Sequence, residues 1–220
     1  MGKVLGLRSC VVALAAVSCA EAQTAQAAER RVLTAALNTP VRRTAANEAA
    51  VLEACREFVR AQFEYFAFDH AGDGFLSFAA RIRSTPGRHD GLYWPIDTGD
   101  DESPIGPNFA AAAPAELSPE VSPRPYFGYY FKALVAQGPD APGGARDYRV
   151  NGRLIGGFAL IAWPAEYGVT GTVTFQVNQL GIVYRKDLGP DTSRAAGIAE
   201  FSPDSSWTRI PFAREAGENH

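Results

Sequence analysis

The chain has 220 residues, 46% hydrophobic and 20% charged, with a formal net charge of −3. These are globular proportions, and the length fits one domain burying roughly 70% of its unfolded surface. The acidic balance argues against nucleic acid or an anionic membrane surface as an electrostatic partner.

The first residues read as an export signal. Lys3 and Arg8 supply a basic start, and residues 11–17 form an apolar core too short to cross a bilayer. Ala20-Glu21-Ala22 and Ala25-Gln26-Ala27 are both small-x-small cleavage sites. The expected organisation is therefore a signal peptide over 1–22, a linker over 23–46, one domain over 47–212 and a polar tail over 213–220. A periplasmic or secreted address follows. The alternative is a lipoprotein anchored at Cys19, where Val17-Ser18-Cys19 fits the lipid box but Ala16 replaces the usual leucine. No later run is apolar enough for a membrane span. Cys10 and Cys19 lie within the signal, so cleavage leaves Cys55 alone and no internal disulfide.

Residues 47–66 carry the clearest helical period. Val51, Leu52, Cys55, Phe58, Val59, Gln62, Phe63 and Phe66 share one face, and Glu53, Arg56, Glu57, Arg60 and Glu64 share the other. Cys55 on the apolar face reads as a small buried hydrophobe. The helix should pack its Leu52, Cys55, Val59 and Phe66 side on a sheet. Asp69-His70-Ala71-Gly72-Asp73-Gly74 follows it. This run has the first, fifth and sixth positions of a calcium loop, but Ala71 and Ala80 stand where the third and twelfth ligands belong. It reads as an acidic turn, with no metal expected.

Residues 75–82 are expected to form a second, short helix, and 84–95 a turn-rich segment ending in Tyr93-Trp94-Pro95. Residues 97–125 lack a sustained period and read as a long surface loop; residues 137–145 read as another. Between and beyond them lie four strand-like runs, over 126–135, 157–163, 172–178 and 181–187. In the third, Val173, Phe175 and Val177 alternate with Thr172, Thr174 and Gln176, predicting one apolar and one polar face. Asn151-Gly152 between short apolar runs marks a hairpin, and Gly181 suits the turn after Asn178. Residues 193–201 are expected to make a helical turn, and 201–210 a closing segment. The expected fold is α+β: an amphipathic helix packed on an antiparallel meander.

The chemistry is thinner. The histidines are His70, His89 and the terminal His220, and no pair has metal-ligand spacing. No serine sits in a nucleophile elbow, and the glycines of 137–145 lack the lysine of a phosphate loop. His89 and Asp90 are neighbours on an irregular segment, a poor geometry for a dyad. No catalytic residue and no cofactor is assigned. The aromatics are the better lead: Tyr93, Trp94, Tyr126, Tyr129, Tyr130 and Trp163 either line a groove for a glycan or peptide or fill the core beneath the sheet. Tyr93 and Trp94, beside the long loops, are the candidate binding residues.

Several motifs carry a family resemblance. Ser84-Thr85-Pro86-Gly87, Asp90-Gly91-Leu92-Tyr93-Trp94-Pro95, Gly128-Tyr129-Tyr130-Phe131, Ala141-Pro142-Gly143-Gly144-Ala145 and Lys186-Asp187-Leu188-Gly189-Pro190 occur in order between about Arg42 and Ile210. The chain resembles the bacterial secreted family known as domain of unknown function twenty-nine-fifty. The resemblance implies no activity for any residue. Members usually carry a longer N-terminal segment, in whose place stand residues 21–41, and a more aspartate-rich loop after the first helix. More faintly, Phe127-Gly128-Tyr129-Tyr130-Phe131 and Thr170-Gly171-Thr172-Val173-Thr174-Phe175, with the 47–66 helix, are similar to the globular heads of type II secretion pseudopilins. Here the apolar start ends near Ala20 and Pro40 follows, so polymerisation through a continuous apolar helix is not expected.

The expected function is an exported cell-envelope module, non-enzymatic, binding an envelope protein or polysaccharide through its loops. The alternative is a periplasmic hydrolase acting on envelope glycans or peptides with His89 and acidic neighbours.

Overall fold

The structure, a computed structural model, describes Gln26 and residues 40–96 and 101–210. The proposed signal peptide and the 213–220 tail lie outside the described residues. The chain divides into two units, Met1–Arg43 and Thr44–His220. Apart from the start of the first helix, all elements below lie in the second.

Helix α1 is Pro40–Phe66, 27 residues long. It starts earlier than the apolar period alone predicts. Pro40 stands in the first turn, where a missing N–H breaks no helical bond. The buried face also differs from the expected one. Val51, Ala54, Cys55, Phe58, Ala61, Gln62 and Tyr65 are buried, Leu52, Val59 and Phe66 are only half-buried, and Phe63 is 51% exposed. The alanines let the helix come close to bulky partners, and phenylalanines from other elements fill the space. Phe58 packs on Phe109 and Phe158 at ring-centroid distances of 6.4 and 5.9 Å. Cys55 is fully buried, and burial pushes its thiol up to about 12, the behaviour of an inert core residue.

The main sheet has five strands, all antiparallel: β1 (Tyr129–Leu134), β6 (Ala159–Pro164), β7 (Thr174–Asn178), β8 (Val183–Lys186) and β9 (Thr208–Ile210), in the order β1-β6-β7-β8-β9. Two small sheets pair β2 (Ala136–Gln137) with β3 (Arg146–Asp147) and β4 (Arg149–Val150) with β5 (Arg153–Leu154). Asn151 and Gly152 join β4 to β5 with φ of 52° and 81°, the left-handed pair of a two-residue hairpin. The first strand is shorter than the apolar run 126–135. Phe127 and Gly128 take φ of 49° and 77°, and Tyr126 and Tyr129 exchange backbone hydrogen bonds across them. The chain therefore reverses before β1 begins.

Register places Phe131, Ala162 and Phe175 on one face of the sheet, with Leu160 and Val177, and α1 covers it. The opposite face carries Lys132, Ile161 and Gln176. Period-two patterning predicts solvent there, yet every residue of β7 is buried. The cover comes from the C-terminal segment. Helix α3 (Thr192–Gly197) packs on β6, Lys132 Nζ donates to the Ala196 carbonyl, and the Ser202 N–H donates to Gln176 Oε1. Thr174, Gln176 and Asn178 are thus polar residues in a closed layer.

Two further expectations are corrected. Residues 75–82 form no helix. Phe78 bridges Leu154, its N–H donating to the Leu154 carbonyl at 2.8 Å, and Ala79 is clamped by Gln62. These partners hold the segment extended. The 101–125 region is no surface loop either. Helix α2 (Pro107–Ala111) and a 3-10 turn (Pro114–Glu116) bury Ile105, Phe109, Ala110, Ala112 and Ala113, and Phe109 packs on Phe131 at 4.4 Å. Alanine-rich stretches carry no amphipathic period, so the pattern hid a helix that fills the core. The 137–145 loop is pinned from within: Gln137 Nε2 donates to the carbonyls of Pro142 and Gly144, and its Oε1 accepts from the Tyr148 hydroxyl.

Candidate functional site

Residues 81–95 fold back on themselves beside the end of α1. Ser84 N–H donates to the Tyr93 carbonyl at 2.8 Å, and Tyr93 N–H to the Ile82 carbonyl at 2.8 Å, a short parallel pairing of Arg83 with Tyr93. Gly91 is required by this approach: a Cβ there would lie 2.5 Å from the Arg83 carbonyl carbon. Glu116 reaches in from the 3-10 turn, its two carboxylate oxygens accepting from the Ile82 and Arg83 N–H groups. Burial pushes its carboxyl above the ordinary range, the two N–H bonds opposing that shift. Within the loop, Asp90 accepts from the Thr85 N–H at 2.6 Å and from the Thr85 hydroxyl at 2.8 Å. Backbone pairing and these side chains give a rigid rim.

Trp94 closes the loop. It is only 3% exposed, and its indole N–H donates to the Asp101 carbonyl at 2.9 Å. His89 stacks on its ring at 4.3 Å and 18°, and His70 lies against it at 5.4 Å. His70 also stacks on Tyr65 at 4.1 Å and 21°, and the Tyr65 hydroxyl donates to the His89 carbonyl at 2.7 Å. The two internal histidines, 19 positions apart in sequence, thus meet around one tryptophan. Burial, with the His89 charge next, holds His70 below its ordinary value, and Nε2 of His70 has no hydrogen-bond partner among the described residues. Burial, with Asp90 and Asp69 adding to it, pushes the Tyr65 phenol up to about 12.

This assembly walls a cleft of about 870 Å³ lined by His70, Trp94 and the 83–90 turn. A second depression of about 530 Å³ shares His70, His89 and Trp94 and is lined otherwise by Glu64, Phe68, Asp69, Asp101 and Glu102. Of the two candidate binding residues from sequence, Trp94 lines both depressions and Tyr93 lines neither. Trp94 is a buried wall, so its ring faces are taken by imidazoles rather than offered to a ligand. Tyr93 is half-buried, its ring under the Arg83 guanidinium at 5.6 Å. Tyr129 and Trp163 are buried in the main core, away from this cleft. Sequence reasoning missed His70, Arg83 and Arg88 as neighbours of Trp94. The turn signal Thr85-Pro86-Gly87, which folds 83–90 into a rim, was the clue available.

The neighbouring acidic turn is self-contained. Asp69 accepts from the N–H groups of Gly72, Asp73 and Gly74, which hold its carboxyl below the ordinary range. Asp73 pairs with Arg153 at 2.6 Å. Among the described residues no group of three or more His, Cys, Asp or Glu side chains is placed to hold a metal ion. Asp90 is held by Thr85 rather than turned to His89, so the adjacent His-Asp pair forms no dyad.

These features define an α+β protein: one long helix across a five-stranded antiparallel sheet, with a loop-built cleft at the end of that helix. The chain belongs to the family described as "Protein of unknown function (DUF2950)", whose match spans residues 31–210. No curated protein and no solved structure matches it.

Proposed function

We propose that this is an exported binding module of the cell envelope, and that its ligand site is the cleft between the 83–90 turn and the His70–Trp94–His89 wall. The observation carrying this reading is the rigid, concave rim with polar groups converging on an aromatic wall, the usual form of a ligand site. The export signal supports the envelope address, and the absence of an apolar helix long enough to span a membrane among the described residues agrees with it. A helix laid across an antiparallel sheet is what supports the likeness to pseudopilin heads.

The rival reading, a hydrolase using a His89–Asp90 pair, is disfavoured by the commitment of Asp90 to Thr85. Amide spectra recorded while fractionated envelope extract is titrated in test the proposal. Shifts should concentrate in 83–95 and on the Trp94 indole N–H, and weaken in Tyr93→Ala and His89→Ala. Turnover of a fraction, abolished by His89→Ala in a folded protein, overturns it in favour of the hydrolase.

A further inference from the structure

The two depressions that meet along the His70–Trp94–His89 wall carry opposite charge. On the side of the 83–90 turn the fixed charges are Arg83, Arg88 and Asp90. Asp90 is occupied by Thr85, while Arg83 lies over the Tyr93 ring. Neither guanidinium forms an ion pair among the described residues. On the other side stand Glu64, Asp69, Asp101 and Glu102, with no lysine or arginine among the described lining residues. Asp69 is used up by backbone N–H groups, which leaves Glu64, Asp101 and Glu102, all exposed and in no salt bridge among the described residues.

This polarity selects the ligand. A polyanion laid along the wall meets three carboxylates, and a polycation meets two guanidiniums. A ligand with one negative and one positive end satisfies both. A guanidinium grips a carboxylate through a planar fork of two N–H groups. Between the ends, Trp94 and its stacked imidazoles present a wall with ring centroids 4.3 and 5.4 Å apart. An extended peptide of four residues spans roughly 13 Å between its charged ends.

We propose that the paired cleft binds short zwitterionic peptides, with the free carboxylate on Arg83 and Arg88 and the free amine facing Glu64, Asp101 and Glu102. This rests on the binding reading above and gives it a ligand class. The test is calorimetric titration at neutral pH and low salt with tetra-alanine, its C-terminal amide and its N-acetyl form. Each blocked peptide should bind about tenfold or more weakly than tetra-alanine. In the R83Q/R88Q double variant the penalty for the amide should vanish while that for the acetyl form persists. In the E64Q/D101N/E102Q triple variant the reverse should hold. Equal affinity for all three peptides, tighter binding of polygalacturonate than of tetra-alanine, or no binding of tetra-alanine at millimolar concentration overturns the assignment. If tetra-alanine fails but envelope extract still shifts 83–95, the peptide class alone falls; if neither shifts those amides, the binding reading falls too.

Discussion

His70 sits between the rings of Tyr65 and Trp94, with Nε2 unpartnered among the described residues, so its charge state bears on the cleft wall. Burial and the neighbouring His89 hold it below its ordinary 6.5, while a backbone hydrogen bond with Tyr65, then Asp69 and Asp101, pull the other way without cancelling the shift. The sign follows by linkage. Between the folded value and 6.5 the unfolded chain binds more protons than the folded one. Stability from this group is therefore full above 6.5 and lost as pH falls through the folded value. His70→Phe keeps an aromatic ring in the stack and removes the proton. Urea midpoints measured from about pH 8 to pH 5 should fall more steeply for the wild type than for the variant. Identical slopes overturn this account. Cys55 is the contrasting residue: a titratable group buried so completely that its thiol stays neutral and serves only as packing.

At the scale of elements, Gln62 ties α1 to the extended segment that replaces the expected second helix. Its Nε2 donates to the Ala79 carbonyl at 2.8 Å and its Oε1 accepts from the Ala79 N–H at 2.9 Å, all fully buried. A glutamine amide is the side chain that satisfies both backbone groups of one residue at once. Gln62→Leu keeps the volume and strands both groups, at a cost of about 2–5 kcal/mol. The urea midpoint should drop accordingly with an unchanged slope, and a shift below half a kcal/mol equivalent would mean that the segment relaxes away. Sequence placed Gln62 on the apolar stripe without explaining it there; its partner, the backbone of Ala79, has no signature in a pattern of side chains. The same limit hid helix α2 and the burial of β7. Alanine and threonine look indifferent to solvent until another segment covers them, as the stretch at Ser202 does beside Gln176 in β7.

For the whole molecule, address and net charge belong together. The proposed cleavage after Ala22 would remove Lys3, Arg8 and Glu21 and leave a chain one unit more acidic than the formal −3. A cleft with two guanidiniums in no ion pair among the described residues is a local exception on an acidic protein, which suits a small ligand better than a polyanionic surface. Intact-mass measurement of the exported protein should find a chain beginning at Gln23 or Ala28 and carrying no lipid. A diacylglyceryl group on Cys19 would instead place the module on a membrane tether.

The fold class was legible in the residues themselves. The helical period around Val51 to Phe66, the Asn151-Gly152 hairpin, the turn at Gly181 and the strand alternation through Phe175 are local signals, each set by backbone preference and side-chain spacing. The cleft was only half legible. Tyr93 and Trp94 stood out by size, but their roles were decided by partners far along the chain: His70 from the end of α1, Glu116 from the 3-10 turn, Asp101 from beyond the loop. Whether a tryptophan is a platform or a wall depends on what covers its faces. That is settled by packing between segments distant in sequence, and spacing along one chain cannot encode it.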